Sequence, residues 1–242
     1  MKYLGKPFIQ DHKGLFYVDN ENIDPKPFYF NEVTSNFDYR RAFYHINGVD
    51  DYIVKDTKRL PLFFNQTRTK KILRNFMEKQ NSFKDIDFPV GYYLNNGKIE
   101  GTVIPNYTGA NSVKVLTNVY KFENLKEFYN HEDDDFRNLV HLCLKILELI
   151  REMFDGDIVY TDINSGNFLV YNNSIKIVDF EPDYVHFTKN KHRYLKLLLS
   201  NYNLLVNYIL RHYEFYDLPY YSPGESFYEA ENRVKHLIKE RK

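Results

Sequence analysis

Residues 155–181, DGDIVYTDINSGNFLVYNNSIKIVDFE, constrain this chain more than any other stretch. Asp162 is followed five residues later by Asn167, and Asp179 closes an apolar run. Between them lie two short β-prone runs, residues 167–171 and 174–178, separated by Asn172 and Asn173. Asn tolerates the positive φ of a tight turn, so the pattern predicts a β-hairpin whose two ends meet. Such a hairpin brings Asp162, Asn167 and Asp179 to one spot, where two carboxylates and an amide oxygen suit a hard cation such as Mg²⁺. On the plainest alternative the same Asp and Asn residues only make turns and caps. That alternative leaves the spacing, the hairpin and the apolar approach to Asp179 as coincidence.

The order D-x-x-x-x-N, short hairpin, apolar-apolar-D-F-x resembles the catalytic and metal-binding loops of the protein-kinase-like fold. Gly166 before the Asn, and Glu181 where protein kinases carry Gly, make it more similar to the aminoglycoside and choline kinase branch. The resemblance implies that Asp162 is the catalytic aspartate, that Asn167 is a metal ligand beside it, and that Asp179 is the main metal ligand. One departure stands out: Tyr160 and Thr161 replace the His and the Arg or Gly usual before the aspartate. A tyrosine there is expected to pack under the loop and donate a hydrogen bond.

A chain of 242 residues suits two lobes or two small domains and is long enough to bury a sizeable core. Lys plus Arg number 33 and Asp plus Glu number 33, so no global field points to nucleic acid or to a membrane surface. The single cysteine, Cys143, rules out an internal disulfide framework and sits in a helical apolar pattern that predicts a buried thiol. No stretch approaches the ~20 apolar residues of a membrane span, and the first residues lack the apolar core of a signal peptide. The expectation is a soluble, cytoplasmic protein.

Upstream, residues 15–55 read as strands and turns, with β-prone runs at 28–33 and 39–46 and a strong Asn47-Gly48 turn before 52–55. In the kinase-like resemblance residues 34–38 would cover phosphates, although they include no glycine. Lys55 ends its apolar run as the phosphate-holding lysine of V-A-I-K does, and the resemblance implies a glutamate partner on the next helix. Glu78, inside the helical run 69–80, is the one acidic residue of that region; the alternative is a solvated glutamate and an exposed lysine. A second hairpin, residues 88–107 with its turn at Asn95-Asn96-Gly97, leads to a polar connector. There the resemblance implies a hinge, with Ile104 behind the adenine and the Pro105 carbonyl and Tyr107 amide bonding it.

Apolar residues at spacings of three and four predict a long core helix over 132–154. Another helix is expected from about Lys191 through Arg211, and a last one from a capping box at Ser222-Pro223-Gly224-Glu225 to about Glu240. No A-P-E sequence and no long segment follows Glu181; protein kinases seat a peptide with that segment, so its brevity favours a small-molecule acceptor or a recognition mode built from other helices.

The fold expected is α+β, a two-lobe kinase-like architecture: a small antiparallel β lobe plus one helix over residues 1–107, and a mainly helical lobe over 108–242. The function implied is transfer of the γ-phosphoryl group of ATP, with Mg²⁺, to a hydroxyl-bearing acceptor. Two rivals are a nucleotide-binding module that transfers nothing and a nucleotidyl transferase on the same fold.

Overall fold

The computed structural model describes residues 6–28, 42–56, 66–83, 85–113, 135–172, 174–211 and 225–240. The expected phosphate-covering loop 34–38, together with Asn173 and residues 222–224, lies outside them. The chain forms two compact units, residues 1–82 with 87–108, and residues 83–86 with 109–242.

The first unit is built on a six-stranded sheet with the order β1 (Ile9–Gln10), β2 (Phe16–Asp19), β5 (Gly91–Asn95), β6 (Lys98–Pro105), β4 (Val49–Asp56), β3 (Phe43–Ile46). Both hairpins form where turn chemistry predicts them. Asn96 and Gly97 have φ of 50° and 74°, the pair of positive values that a two-residue turn needs to match strand twist. The sheet is mixed, which corrects the expected antiparallel lobe: β2 runs parallel to β5 while the other pairings are antiparallel. The other edge of β5 is taken by β6, and along the remaining edge the N-terminal segment runs in the same direction as β5.

Alternation along the strands sorts side chains to two faces. Leu15, Tyr92 and Ile99 pack with Leu73 and Met77 of helix α1 (Gln66–Lys79). Val18, Val54, Tyr93 and Val103 pack on the other face with Ile23 and Phe8. Since Val54 faces away from α1, the period of two turns its neighbour Lys55 toward the helix side.

The second unit is mainly helical. Helix α2 (Asp135–Asp155) buries every apolar position expected of it, from Phe136 to Phe154, and Cys143 with them. Burial pushes the Cys143 thiol far above its usual range, so it is an inert core group. Helix α3 (Leu195–Leu210) follows a 3₁₀ turn over Lys191–Tyr194, and helix α4 (Phe227–Glu240) ends the described chain. The cap of α4 lies four residues later than expected. Ser226 and Glu229 form the capping box, with the Ser226 N–H donating to Glu229 Oε2 at 2.6 Å and the Glu229 N–H donating to Ser226 Oγ at 3.3 Å. Both Ser222 and Ser226 head an S-x-x-E pattern, and Glu225 is drawn instead into a buried ion pair with Arg233. Among the described residues no helix is long and apolar enough to cross a membrane.

Candidate active site

The candidate site grows from the end of α2. Lys191 closes that helix, donating to the Asp155 carbonyl at 3.1 Å and pairing with the Asp157 carboxylate at 3.0 Å. Asp157 takes the left-handed conformation, φ 64°, that turns the chain into β8 (Ile158–Tyr160). Gly156 serves a different need: a Cβ there would sit 2.4 Å from Cζ of Phe83.

Strand β8 pairs antiparallel with β11 (Val185–Phe187) and extends past Tyr160, where the Thr161 N–H donates to the Tyr184 carbonyl at 2.9 Å. The Thr161 hydroxyl bonds the same carbonyl, and Asn201 of α3 donates to the Thr161 carbonyl at 2.8 Å. Thr161 is thus fixed from both sides. The loop that follows is shaped by Asn164, whose side-chain oxygen accepts from the Gly166 N–H at 2.9 Å while its backbone carbonyl accepts from the Asn167 N–H.

The expected hairpin is present as β9 (Phe168–Tyr171) and β10 (Ser174–Ile177), with Asn172 at φ 47° in the turn and the short β7 (Asn111–Ser112) pairing antiparallel with β9. Its open end is tied by the Val178 N–H donating to the Asn167 carbonyl at 2.9 Å. Asp179 follows with φ 69°, a left-handed value uncommon for a residue other than glycine.

Within this frame Asp162 and Asn167 meet directly. Asn167 Nδ2 donates to Asp162 Oδ2 at 2.7 Å, to the Asp162 carbonyl at 3.0 Å and to the Tyr160 hydroxyl at 2.9 Å. Asp162 Oδ1 accepts from Asn164 Nδ2 at 2.8 Å. With both amide hydrogens of Asn167 committed, its carbonyl oxygen is the atom left for a cation. Asp179 belongs to the same neighbourhood. Burial first, and then the carboxylates of Asp179 and Asp162, push the Tyr160 phenol well above its usual range; the Asn167 bond opposes this and Glu181 adds to it. Tyr184 is raised by desolvation, then by Asp162, Glu181, Asp183 and Asp179.

The donors here are hard oxygens: two carboxylates and an amide carbonyl, with Glu181 close by. That set fits a Mg²⁺-like ion held by a few protein oxygens plus phosphate. Among the described residues no group of three or more His, Cys, Asp or Glu side chains forms a ready-made metal cage. Asn164 and Asn201 were missed by sequence reasoning, and Glu181 was noted for its place after Asp179-Phe180 without a role in the site; Asn164, an Asx-turn residue ahead of a glycine, had a local signal of its own.

In the first unit the site residues fare differently. Lys55 is 5% exposed, paired in register with Phe43 and Thr102. Glu78 is on the exposed face of α1, and among the described residues it has no ion-pair partner, so the expected Lys55–Glu78 pair does not form. The reason is helical phase. At about 100° per residue, Glu78 lies half a turn from the buried face of Thr69, Ile72, Leu73 and Phe76. Ile104 and Pro105 end β6 opposite Ile53 and Tyr52, and Tyr107 is buried with its hydroxyl donating to Asp87 at 2.8 Å.

Comparison with protein-family models gives no match to this chain, and comparison with curated protein sequences gives none either.

Proposed function

We propose that this protein is a Mg²⁺- and ATP-dependent phosphotransferase of the kinase-like kind, passing the γ-phosphoryl group to a hydroxyl acceptor. The observation that carries the reading is the Asp162–Asn167 contact at the open end of the hairpin that delivers Asp179. Among the described residues, a β unit with one α-helix and a mainly helical unit bearing two small β elements beside this loop support the two-lobe version of the α+β class.

Asp162, held by two side-chain amides, orients the acceptor hydroxyl and takes its proton as the new O–P bond forms and the bond to the β-phosphate oxygen breaks, releasing ADP. Asn167, through its amide oxygen, and Asp179, through its carboxylate, would hold Mg²⁺, which when bound supplies positive charge to the phosphate oxygens. Lys55, a buried cation on the helix side of the sheet, anchors phosphates, and Ile104, Pro105 and Tyr107 frame the adenine. Rate then comes mainly from alignment and charge. ATP as donor and a single buried thiol suit a cytoplasmic setting.

One observation favours a nucleotide-binding module instead: both Asp162 oxygens already accept hydrogen bonds. Parallel incubations with γ-labelled and α-labelled ATP decide. Transfer of γ label, to an acceptor or to water, with α label staying in ADP is expected. Transfer of α label would replace the reading with nucleotidyl transfer, and stabilisation by Mg²⁺–ATP without either transfer would replace it with the binding module.

A further inference from the structure

Tyr160 is the residue by which the loop departs most from the pattern it resembles, and its hydroxyl makes two bonds that a plain phenyl ring could not make. The side chain is 1% exposed, with the ring of Phe180 at 5.4 Å. A phenylalanine would satisfy that packing. The hydroxyl, however, donates to the Val178 carbonyl at 3.1 Å and accepts from Asn167 Nδ2 at 2.9 Å. A phenol oxygen has one hydrogen to give and lone pairs to receive, so both bonds are made at once.

Those bonds reach the two residues on which cation binding depends. The amide of Asn167 has two near-equivalent ends, and what keeps the nitrogen inward and the oxygen outward is its set of acceptors: Tyr160 and Asp162. Val178 immediately precedes Asp179, whose backbone is at φ 69°, a conformation that persists only where surrounding bonds hold it. The hydroxyl therefore clamps the loop side and the hairpin side of the site through one atom.

We propose that Tyr160 is a positioning residue for the cation site, its hydroxyl setting the direction of the Asn167 carbonyl oxygen and fixing the backbone that carries Asp179. This rests on the phosphotransferase reading for the identity of the cation. Partners that orient metal ligands typically govern about 10–100-fold in metal affinity.

The test uses the full chain in three forms, wild type, Tyr160→Phe and Tyr160→His, with Mg²⁺ titrated by calorimetry and thermal melting at saturating non-hydrolysable ATP analogue. Binding of the analogue without metal is measured alongside. In Tyr160→Phe the half-saturating Mg²⁺ should rise about 10-fold or more, while metal-free analogue affinity stays at the wild-type value. Histidine carries one N–H and one acceptor nitrogen, so it can make both kinds of bond in a worse-fitting shape. The clamp therefore ranks His above Phe in Mg²⁺ affinity, whereas packing alone ranks Phe above His. If the Phe chain does not fold, His answers alone: near-wild-type Mg²⁺ affinity supports the clamp and a loss of about 10-fold or more overturns it. Wild-type Mg²⁺ dependence that survives unchanged in Tyr160→Phe overturns the role of Tyr160 and leaves the proposed function standing. A wild-type chain whose analogue binding ignores Mg²⁺ overturns both.

Discussion

The loop and hairpin over residues 158–184 and the Lys55–Glu78 corner of the first unit both hold polar residues that a fold can bring together, and only the loop does so. In the loop, Asp162 and Asn167 bond directly and Tyr160 and Asn164 complete the set. In the corner, Lys55 is buried and Glu78 faces solvent half a turn from the packed side of α1. The difference is one of range. A five-residue spacing closed by a hairpin fixes its own geometry, since the turn and the strand register leave few alternatives. A strand lysine and a helix glutamate meet only if the helix docks in the right phase, and apolar residues decide that phase.

The largest expected effect lies in the loop. Asp162→Asn removes the proposed base and should lower phosphoryl transfer, or slow ATP hydrolysis where no acceptor is known, by about 10²–10⁴. The structure adds a second consequence. Asn164 and Asn167 both donate to this carboxylate, and an amide at 162 can accept at only one of its two ends, so one contact becomes donor against donor. Denaturant unfolding should therefore show a loss of about 1–3 kcal/mol as well. Full turnover in the mutant would remove Asp162 from the chemistry, and unchanged stability would show that the network is looser than drawn.

The corner gives the next contrast. Lys55→Ala should weaken transfer and Mg²⁺–ATP binding strongly, because it deletes a buried cation on the helix side of the sheet. Glu78→Gln should change unfolding free energy by no more than about 0.5 kcal/mol, as ordinary surface substitutions do. A Glu78 variant as impaired as Lys55→Ala would mean that the working protein rotates α1 away from the packing described.

Legibility followed the same line. The two hairpins, the buried stripe of α2 and the placing of Cys143 could be read because turn residues and apolar spacing act over a few positions. The parallel neighbour of β5 could not, since nothing in residues 16–19 announces which edge a short strand will take. The cap of α4 was misplaced by four residues because two consecutive serine–glutamate boxes read alike, and the pairing of Glu225 with Arg233 separates them. In the loop, Asp162, Asn167 and Asp179 carried a local signal, whereas Asn201 acts from a helix forty positions on.

A pH experiment compares the loop with the helical core of its own unit. Tyr160 under the loop and Tyr202, which donates to the Cys143 carbonyl at 2.9 Å, are both fully buried phenols raised well above the usual 10, in each case chiefly by burial. Below pH 10 folded and unfolded chains are both protonated there, and the full stability is present. Above pH 10 the unfolded chain ionises and the folded chain does not, so stability falls by about 1.4 kcal/mol per pH unit for each phenol. Urea midpoints at pH 8 and 11 should show the fall, with tyrosinate absorbance rising as the chain unfolds. Tyr202→Phe and Tyr160→Phe should each shallow the slope by one phenol; a slope that neither changes would place the alkaline transition elsewhere.

A last contrast separates two reasons for a glycine at the entry to the loop. Were Gly156 needed as a left-handed helix cap, alanine would be strained there whatever surrounded it. The left-handed residue is Asp157, and the obstacle at 156 is Phe83, whose Cζ would lie 2.4 Å from an added Cβ. Phe83 is 8% exposed and has little room to yield. Overpacking of this kind costs about 1–3 kcal/mol, so Gly156→Ala should lower the unfolding free energy by that much. Shortening the ring with Phe83→Leu opens the space the methyl needs, and in the double variant the two changes should fall short of additivity by about 0.5–3 kcal/mol. Strict additivity would return the cost to the backbone and make Gly156 a cap after all.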